Sequence, residues 1–194
     1  MKISKKTYNL IRIIGCILLL ALMTAFLVYI NVTDGGNMDI SASPNGKYKD
    51  IDYFENFTLK SFSQDEFSNV NFEEYDVIIV NIWEPYCKSC LKEMPVLDEL
   101  SSELKDKGLL VVEVQGNAYV YPEDVELGYD LIDDIGVSLP MLLADERFSK
   151  EILPILKDAF PGTFVLNKKG EILDFTAGSK SKEAWREYFE SFIK

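Results

Sequence analysis

Apolar positions along this chain fall into two regimes. Ile13 to Ile30, reading IIGCILLLALMTAFLVYI, contains no charge. As a helix it would extend about 27 Å, close to the thickness of a bilayer's hydrocarbon core, so the run predicts a transmembrane anchor over 13–30. Residues 31–53 are poor in apolar side chains and hold Gly35, Gly36, Asn37, Ser41, Ser43, Pro44, Asn45 and Gly46, the composition of a flexible linker. From residue 54 to 194 the spacing becomes that of a folded domain. Val77 to Trp83 is an almost unbroken β-branched run, as expected of a strand buried on both faces. Leu91, Met94, Leu97, Leu100 and Leu104 then recur at helical steps, in a helix predicted from Cys90 to Lys107 and ended by Gly108. Leu109 to Val114 reads as a second buried strand, which makes a parallel strand–helix–strand unit.

Further along, Tyr121 to Ile135 predicts a partly helical acidic segment, followed by a short extended stretch at Val137 to Leu143. Ser149 to Lys157 predicts a helix interrupted by Pro154. Thr163 to Leu166 and Glu171 to Phe175 flank a turn at Asn167 to Gly170 and predict an antiparallel hairpin. An amphipathic helix over Ser181 to Lys194 closes the chain, with Trp185, Phe189 and Phe192 on its apolar stripe. These elements predict an α/β domain with a mixed central sheet flanked by helices. The scattered aromatics of Phe54 to Phe72 suit short strands or turns without fixing their positions.

Charge orients the anchor. Lys2, Lys5, Lys6 and Arg12 precede the apolar run with no acidic residue among them, which places residues 1–12 in the cytoplasm and the domain outside it. The run ends in Val28-Tyr29-Ile30-Asn31 without a small-x-small cleavage site, so an uncleaved anchor is expected over a removed signal peptide. Cys16 stands at the start of the run rather than after it, the wrong order for lipidation. The chain has 20 basic and 32 acidic residues, a net charge of −12. Most of the excess falls on the domain, which argues against binding to nucleic acid or docking on anionic lipid surfaces.

Of the 3 cysteines, two form Cys87-Lys88-Ser89-Cys90, where the strand through Trp83 gives way to the helix. Placement carries the chemistry here. A thiol at a helix N-terminus faces unpaired amides and the positive end of the dipole, which favour thiolate and make Cys87 the nucleophile. Cys90, one turn on, is placed to attack a mixed disulfide from inside the molecule. A zinc site needs more ligands than two cysteines, and the chain has 0 histidines. Haem attachment would need histidine where Leu91 stands. A structural bridge closing so small a loop gains little stability, which leaves a redox pair with no cofactor as the expected chemistry.

The stretch Asn81-Ile82-Trp83-Glu84-Pro85-Tyr86-Cys87-Lys88-Ser89-Cys90-Leu91-Lys92-Glu93-Met94-Pro95 resembles the active-site segment of membrane-anchored, thioredoxin-like TlpA/ResA-type proteins. Phe160-Pro161-Gly162-Thr163-Phe164 matches that family's later Pro-x-Thr-Phe segment. The resemblance runs loosely from about Phe57 to the C-terminus. Lys-Ser between the cysteines, Tyr86 in place of tryptophan, and Glu84-Pro85 depart from the family pattern, which bears on redox potential and partner choice. Resemblance implies a thioredoxin-like fold, a cis proline at Pro161 facing the disulfide, and a substrate-facing surface that includes Trp83, Phe160 and Pro161. Trp83 and Pro161 have ordinary readings too, as a core side chain and a loop proline.

Thioredoxins proper resemble this segment but carry a buried aspartate where Asn81 stands. An amide cannot exchange the second cysteine's proton, and Glu93, about one helical turn past Cys90, is the nearest carboxyl to replace it. The family implies reduction of disulfides in exported proteins, as in cytochrome c maturation, spore envelope assembly or repair, with a membrane thiol-disulfide carrier as electron donor. A disulfide oxidase or isomerase, and a tethered binding module without turnover, are the competing functions.

Overall fold

The computed structural model describes Met23, Tyr48 and residues 50–193. The predicted anchor at 13–30, apart from Met23, and most of the predicted linker lie outside the described residues. Among those described, no helix is long and apolar enough to cross a membrane.

Seven strands form one mixed sheet: β1 (Thr58–Ser61), β2 (Glu66–Ser68), β3 (Val77–Trp83), β4 (Leu109–Gln115), β5 (Met141–Leu143), β6 (Gly162–Asn167) and β7 (Ile172–Ala177). Their order is β2-β1-β5-β4-β3-β6-β7. β3, β4 and β5 run parallel, while β1, β6 and β7 pair antiparallel to their neighbours. Every residue of β3 and β4 is buried, as strands covered on both faces must be. Helix α1 (Lys88–Leu104) joins them, begins two residues earlier than its apolar stripe suggested, and is capped by Cys87. The remaining α-helices among residues 50–193 are α2 (Asp124–Ile135), α3 (Glu146–Glu151), α4 (Leu153–Leu156) and α5 (Lys182–Glu190).

Alternation along β3 divides the core. Ile78, Val80 and Ile82 pack on one face with Phe54, Phe72, Phe148 and Phe164. Val77, Ile79 and Trp83 pack on the other with Cys90, Met94 and Leu97 of α1 and Trp185 and Phe189 of α5. The domain's packing starts ahead of residue 54: Tyr53 is buried, and Tyr48 lays its ring edge-on to Phe164 and Phe175. Aromatic area of this size gains more by burial than the chain gains by staying free in a linker.

Two boundaries move for local reasons. The helix expected over 149–157 starts at Glu146, because Asp145 caps it by accepting from the Phe148 N–H at 2.7 Å, and Pro154 opens a separate turn. In the hairpin turn Gly170 has φ +85°, and a side chain there would run into the Phe54 carbonyl. Only glycine both adopts that backbone and lets the hairpin close on the N-terminal aromatics.

Candidate active site

β3 delivers the chain to the sheet's C-terminal edge, where Glu84 to Tyr86 turn it into α1. Cys87 is the N-cap, and its sulfur accepts from the Cys90 N–H at 3.2 Å, the position in which a helix terminus stabilises negative charge. Cys87 and Cys90 are joined by a disulfide. The pair is asymmetric: Cys87 is half-buried and has the Ser89 hydroxyl 3.4 Å from its sulfur, whereas Cys90 is fully buried in the core. An incoming sulfur can reach the first cysteine and not the second.

The turn is braced from α2. The Tyr86 hydroxyl donates to Asp124 Oδ1 at 3.1 Å, and Asn117 Nδ2 donates to Asp124 Oδ2 at 2.8 Å, so one carboxylate ties the loop after β4 to the residue before Cys87. Glu84 opens the same turn, its carbonyl accepting from the Cys87 N–H. Burial first, then repulsion from Asp124 and Asp158, raises its proton affinity above that of an ordinary glutamate.

Glu93 sits two residues beyond the first turn of α1 and is 4% exposed. Its Oε2 accepts from the Trp185 indole N–H at 3.1 Å and from the Lys180 backbone N–H at 3.2 Å, while Oε1 has no partner among the described residues. Burial raises the carboxyl's proton affinity, against the lowering pull of those two bonds and of the Lys180 charge. The Lys180 ammonium lies 4.8 Å over the Trp185 ring and donates to Thr176 Oγ1 at 2.8 Å. Burial in turn makes Lys180 easier to deprotonate than a free lysine. Beside the disulfide, Lys88, Lys92, Glu93, Val96, Lys180 and Lys182 line an open groove of about 730 Å³.

Of the residues singled out in the sequence, the structure brings Cys87, Cys90 and Glu93 to one end of α1. The Phe160–Pro161 bond is cis, and Gly162, the next residue, pairs with Ile82. That register sets Pro161 level with the end of β3, where the cysteine loop begins. Phe160 is half-buried against the cluster that holds Cys90. Trp83 corrects one expectation. It is fully buried, with its ring 6.4 Å from that of Phe62, so it packs beneath the cysteines and offers no surface to a substrate.

Two residues that bear on the site carry no local functional motif. The apolar stripe of the last helix makes Trp185 a core residue, and it is buried, yet its indole N–H also holds Glu93. Glu113 is the one charged residue in the apolar run of β4, a signal visible in the sequence.

A mixed sheet with a cysteine pair at the start of the helix after its central strand, and a cis proline opening the strand beside it, defines a thioredoxin-like protein with a dithiol-disulfide centre. No family model matches the chain. It is 26% identical over 127 residues to the thioredoxin-like protein YneN of Bacillus subtilis, covering 66% of this chain and 71% of that one. To the thiol-disulfide oxidoreductase ResA of Bacillus thuringiensis it is 24% identical over 113 residues, covering 58% of this chain and 61% of that one, less than two thirds of the relative's length. Among solved structures, the thioredoxin domain of a thiol-disulfide oxidoreductase from Bacteroides vulgatus superposes with a TM-score of 0.58 at 20% identity, over 71% of this chain and 93% of that one. The chain thus has a thioredoxin-like fold and is similar in sequence to the YneN and ResA proteins.

Proposed function

We propose that this chain is a membrane-anchored thiol-disulfide oxidoreductase that works outside the cytoplasm. It reduces disulfides of exported proteins and is itself re-reduced by a membrane thiol-disulfide carrier. The observation that carries this reading is the unequal pair at the helix start, with Cys87 reachable and supported by the Cys90 N–H and Cys90 sealed beneath it. Homology to proteins named thiol-disulfide oxidoreductases supports the activity, and the basic residues before 13–30 support the orientation.

In the reduced protein the Cys87 thiolate attacks one sulfur of a substrate disulfide, and the other substrate sulfur leaves with the electron pair. Cys90 then loses its proton and attacks Cys87. The Cys87–substrate bond breaks, the second substrate sulfur leaves, and the Cys87–Cys90 disulfide forms, so two electrons have passed to the substrate. Glu93 handles the proton of Cys90, because a thiol so buried has no direct solvent to receive it. Phe160 and Pro161 border the approach to Cys87.

The midpoint potential of Cys87/Cys90, measured together with insulin reduction, tests the direction of electron flow. A value near the thioredoxin end of the range, about −270 mV, with turnover of insulin fits a reductase, whereas one near about −120 mV would make the protein an oxidase. Absence of any exchange would reduce it to a binding module.

A further inference from the structure

Glu113 is a fully buried carboxyl that the exchange chemistry above leaves unused. It lies on the face of β4 covered by α1, level with Asn81 of β3 and Met141 of β5. Asn81 Nδ2 is 3.0 Å from one carboxyl oxygen and 3.2 Å from the other, and Thr163 Oγ1 donates to Asn81 Oδ1 at 2.8 Å. Val111, Trp83, Met141 and Val165 surround this polar row, and they belong to the same packed cluster as Cys90.

Packing alone does not call for an acid here. A glutamine would accept the same bond from Asn81, and Gln115, two residues on and on the same face, shows that β4 carries a buried amide. An ionised carboxylate with a single amide donor is costly in such a setting, so with the disulfide intact Glu113 stands as the neutral acid. Burial holds its proton affinity well above the usual range, the Asn81 bond opposes this, and the charge of Glu93 adds to it. The ionisable groups described around the row are Glu93 from α1 and, facing Glu93, Lys180 from the segment before α5. β5 and β6 contribute no ionisable group to it, only Met141, Thr163 and Val165.

We propose that Glu113 is the interior proton partner of the Cys87/Cys90 centre, a positioning residue that acts through Asn81 and through the charge it shares with Glu93. This rests on the dithiol-disulfide reading above. When Cys90 attacks Cys87, its S–H proton passes to the ionised member of the Glu93/Glu113 pair as the new S–S bond forms and the substrate sulfur departs with its electrons. When a carrier thiolate later attacks Cys87 and the Cys87–Cys90 bond breaks, Cys90 takes the electron pair and the proton returns to it. Because the two carboxyls repel, they ionise in sequence, and the buried pair carries at most one negative charge.

The full-length wild type, Glu113→Gln, Glu113→Asp and Glu93→Gln are to be compared by two readouts. The first is the infrared difference between reduced and oxidised protein in the protonated-carboxyl region. The second is the pH profile of disulfide reduction. The wild type is expected to show a carboxyl band perturbed by reduction that Glu113→Gln lacks. Glu113→Gln is expected to be slower by about tenfold near neutral pH, below the usual gain from general acid–base help, with a displaced profile that Glu113→Asp partly restores. A wild type without such a band, or a Glu113→Gln profile that overlays it, overturns the assignment. Should Glu113→Gln fail to fold, the band in Glu93→Gln decides alone, since Glu113 is then the remaining carboxyl of the pair. A wild type that reduces neither insulin nor a small aromatic disulfide refutes the functional reading, whereas normal wild-type turnover with an unaltered Glu113→Gln removes only the role of Glu113.

Discussion

Replacing Glu93 by glutamine separates proton handling from packing. With its carbonyl in the place of Oε2, the glutamine keeps the bonds from Trp185 Nε1–H and the Lys180 N–H, and its amide nitrogen takes the place of the unpartnered Oε1. Charge is lost and no contact is. Two bonds to a charged acceptor, about 1.5–3 kcal/mol each, become neutral ones of about 0.5–1.5 kcal/mol. Against that loss of roughly 2–3 kcal/mol stands the removal of a buried charge. Burial dominates in raising the proton affinity of Glu93, so the folded chain holds this proton more tightly than the unfolded one. Wild-type stability therefore falls as pH rises from the unfolded carboxyl value through the raised folded one, and is level above it. Glutamine does not titrate, so denaturant unfolding should show the variant gaining on the wild type across that window. Disulfide reduction should meanwhile fall by about a hundredfold. Trp185→Phe is the control. It removes one donor, costs about 1.5–3 kcal/mol, and should displace the pH profile to the alkaline side while leaving the carboxyl in place. A Glu93→Gln variant with wild-type kinetics from mildly acidic to mildly alkaline pH would refute the proton-handling role and leave Glu93 a structural acceptor.

Three further outcomes are expected. Cys90→Ser should accumulate mixed disulfides with substrate, seen as adducts on non-reducing gels, and Cys87→Ser should form none; trapping by the Cys87 variant would reverse the assigned order. Protease added to wall-stripped cells should digest the domain from outside and leave a short N-terminal fragment, whereas full protection would invert the topology. Gly128→Ala places a methyl group against the Gln115 side chain, whose amide bonds Asn117 and the Asp124 carbonyl, so it should lower stability by about 1–3 kcal/mol in denaturant titrations. An unchanged midpoint would show that the loop bracing Tyr86 tolerates repacking.

The parts of the fold that were legible in the sequence are those in which one physical signal acts alone. Val77 to Trp83 is a run of β-branched side chains with no competing pattern, and β3 has the bounds expected of it. Gly108, in the left-handed region at φ +82°, ends the turn after α1 where a helix stop was read. Phe54 to Phe72 has no usable period because β1 and β2 hold 4 and 3 residues and most of the segment's aromatics lie outside them, with Phe57 packing against Phe67 and Phe72. The start of α1 differs from the apolar stripe for a related reason. Periodicity sees only buried positions, and Lys88 and Ser89 are exposed.

The site was half legible, and the missing half follows from how tertiary contacts are made. Cysteine spacing is local, so Cys87 and Cys90 could be read directly. The environment of Glu93 is not local: its donors lie 87 and 92 positions away, at Lys180 and Trp185, brought over α1 by the last helix. An amphipathic stripe accounts for Trp185 without its N–H, so the sequence offered no reason to look for a second role. Glu113 differs, because a charge inside Leu109 to Gln115 contradicts the strand around it. Such a charge survives only where something stabilises one of its protonation states. Asn81 supplies that from β3, the strand beside β4, and is itself held by Thr163 of β6, on the face where α1 buries Cys90. An isolated break in an apolar pattern is thus a pointer to chemistry when the fold sets it in the same layer as a reactive group, and the local sequence does not say which layer that is.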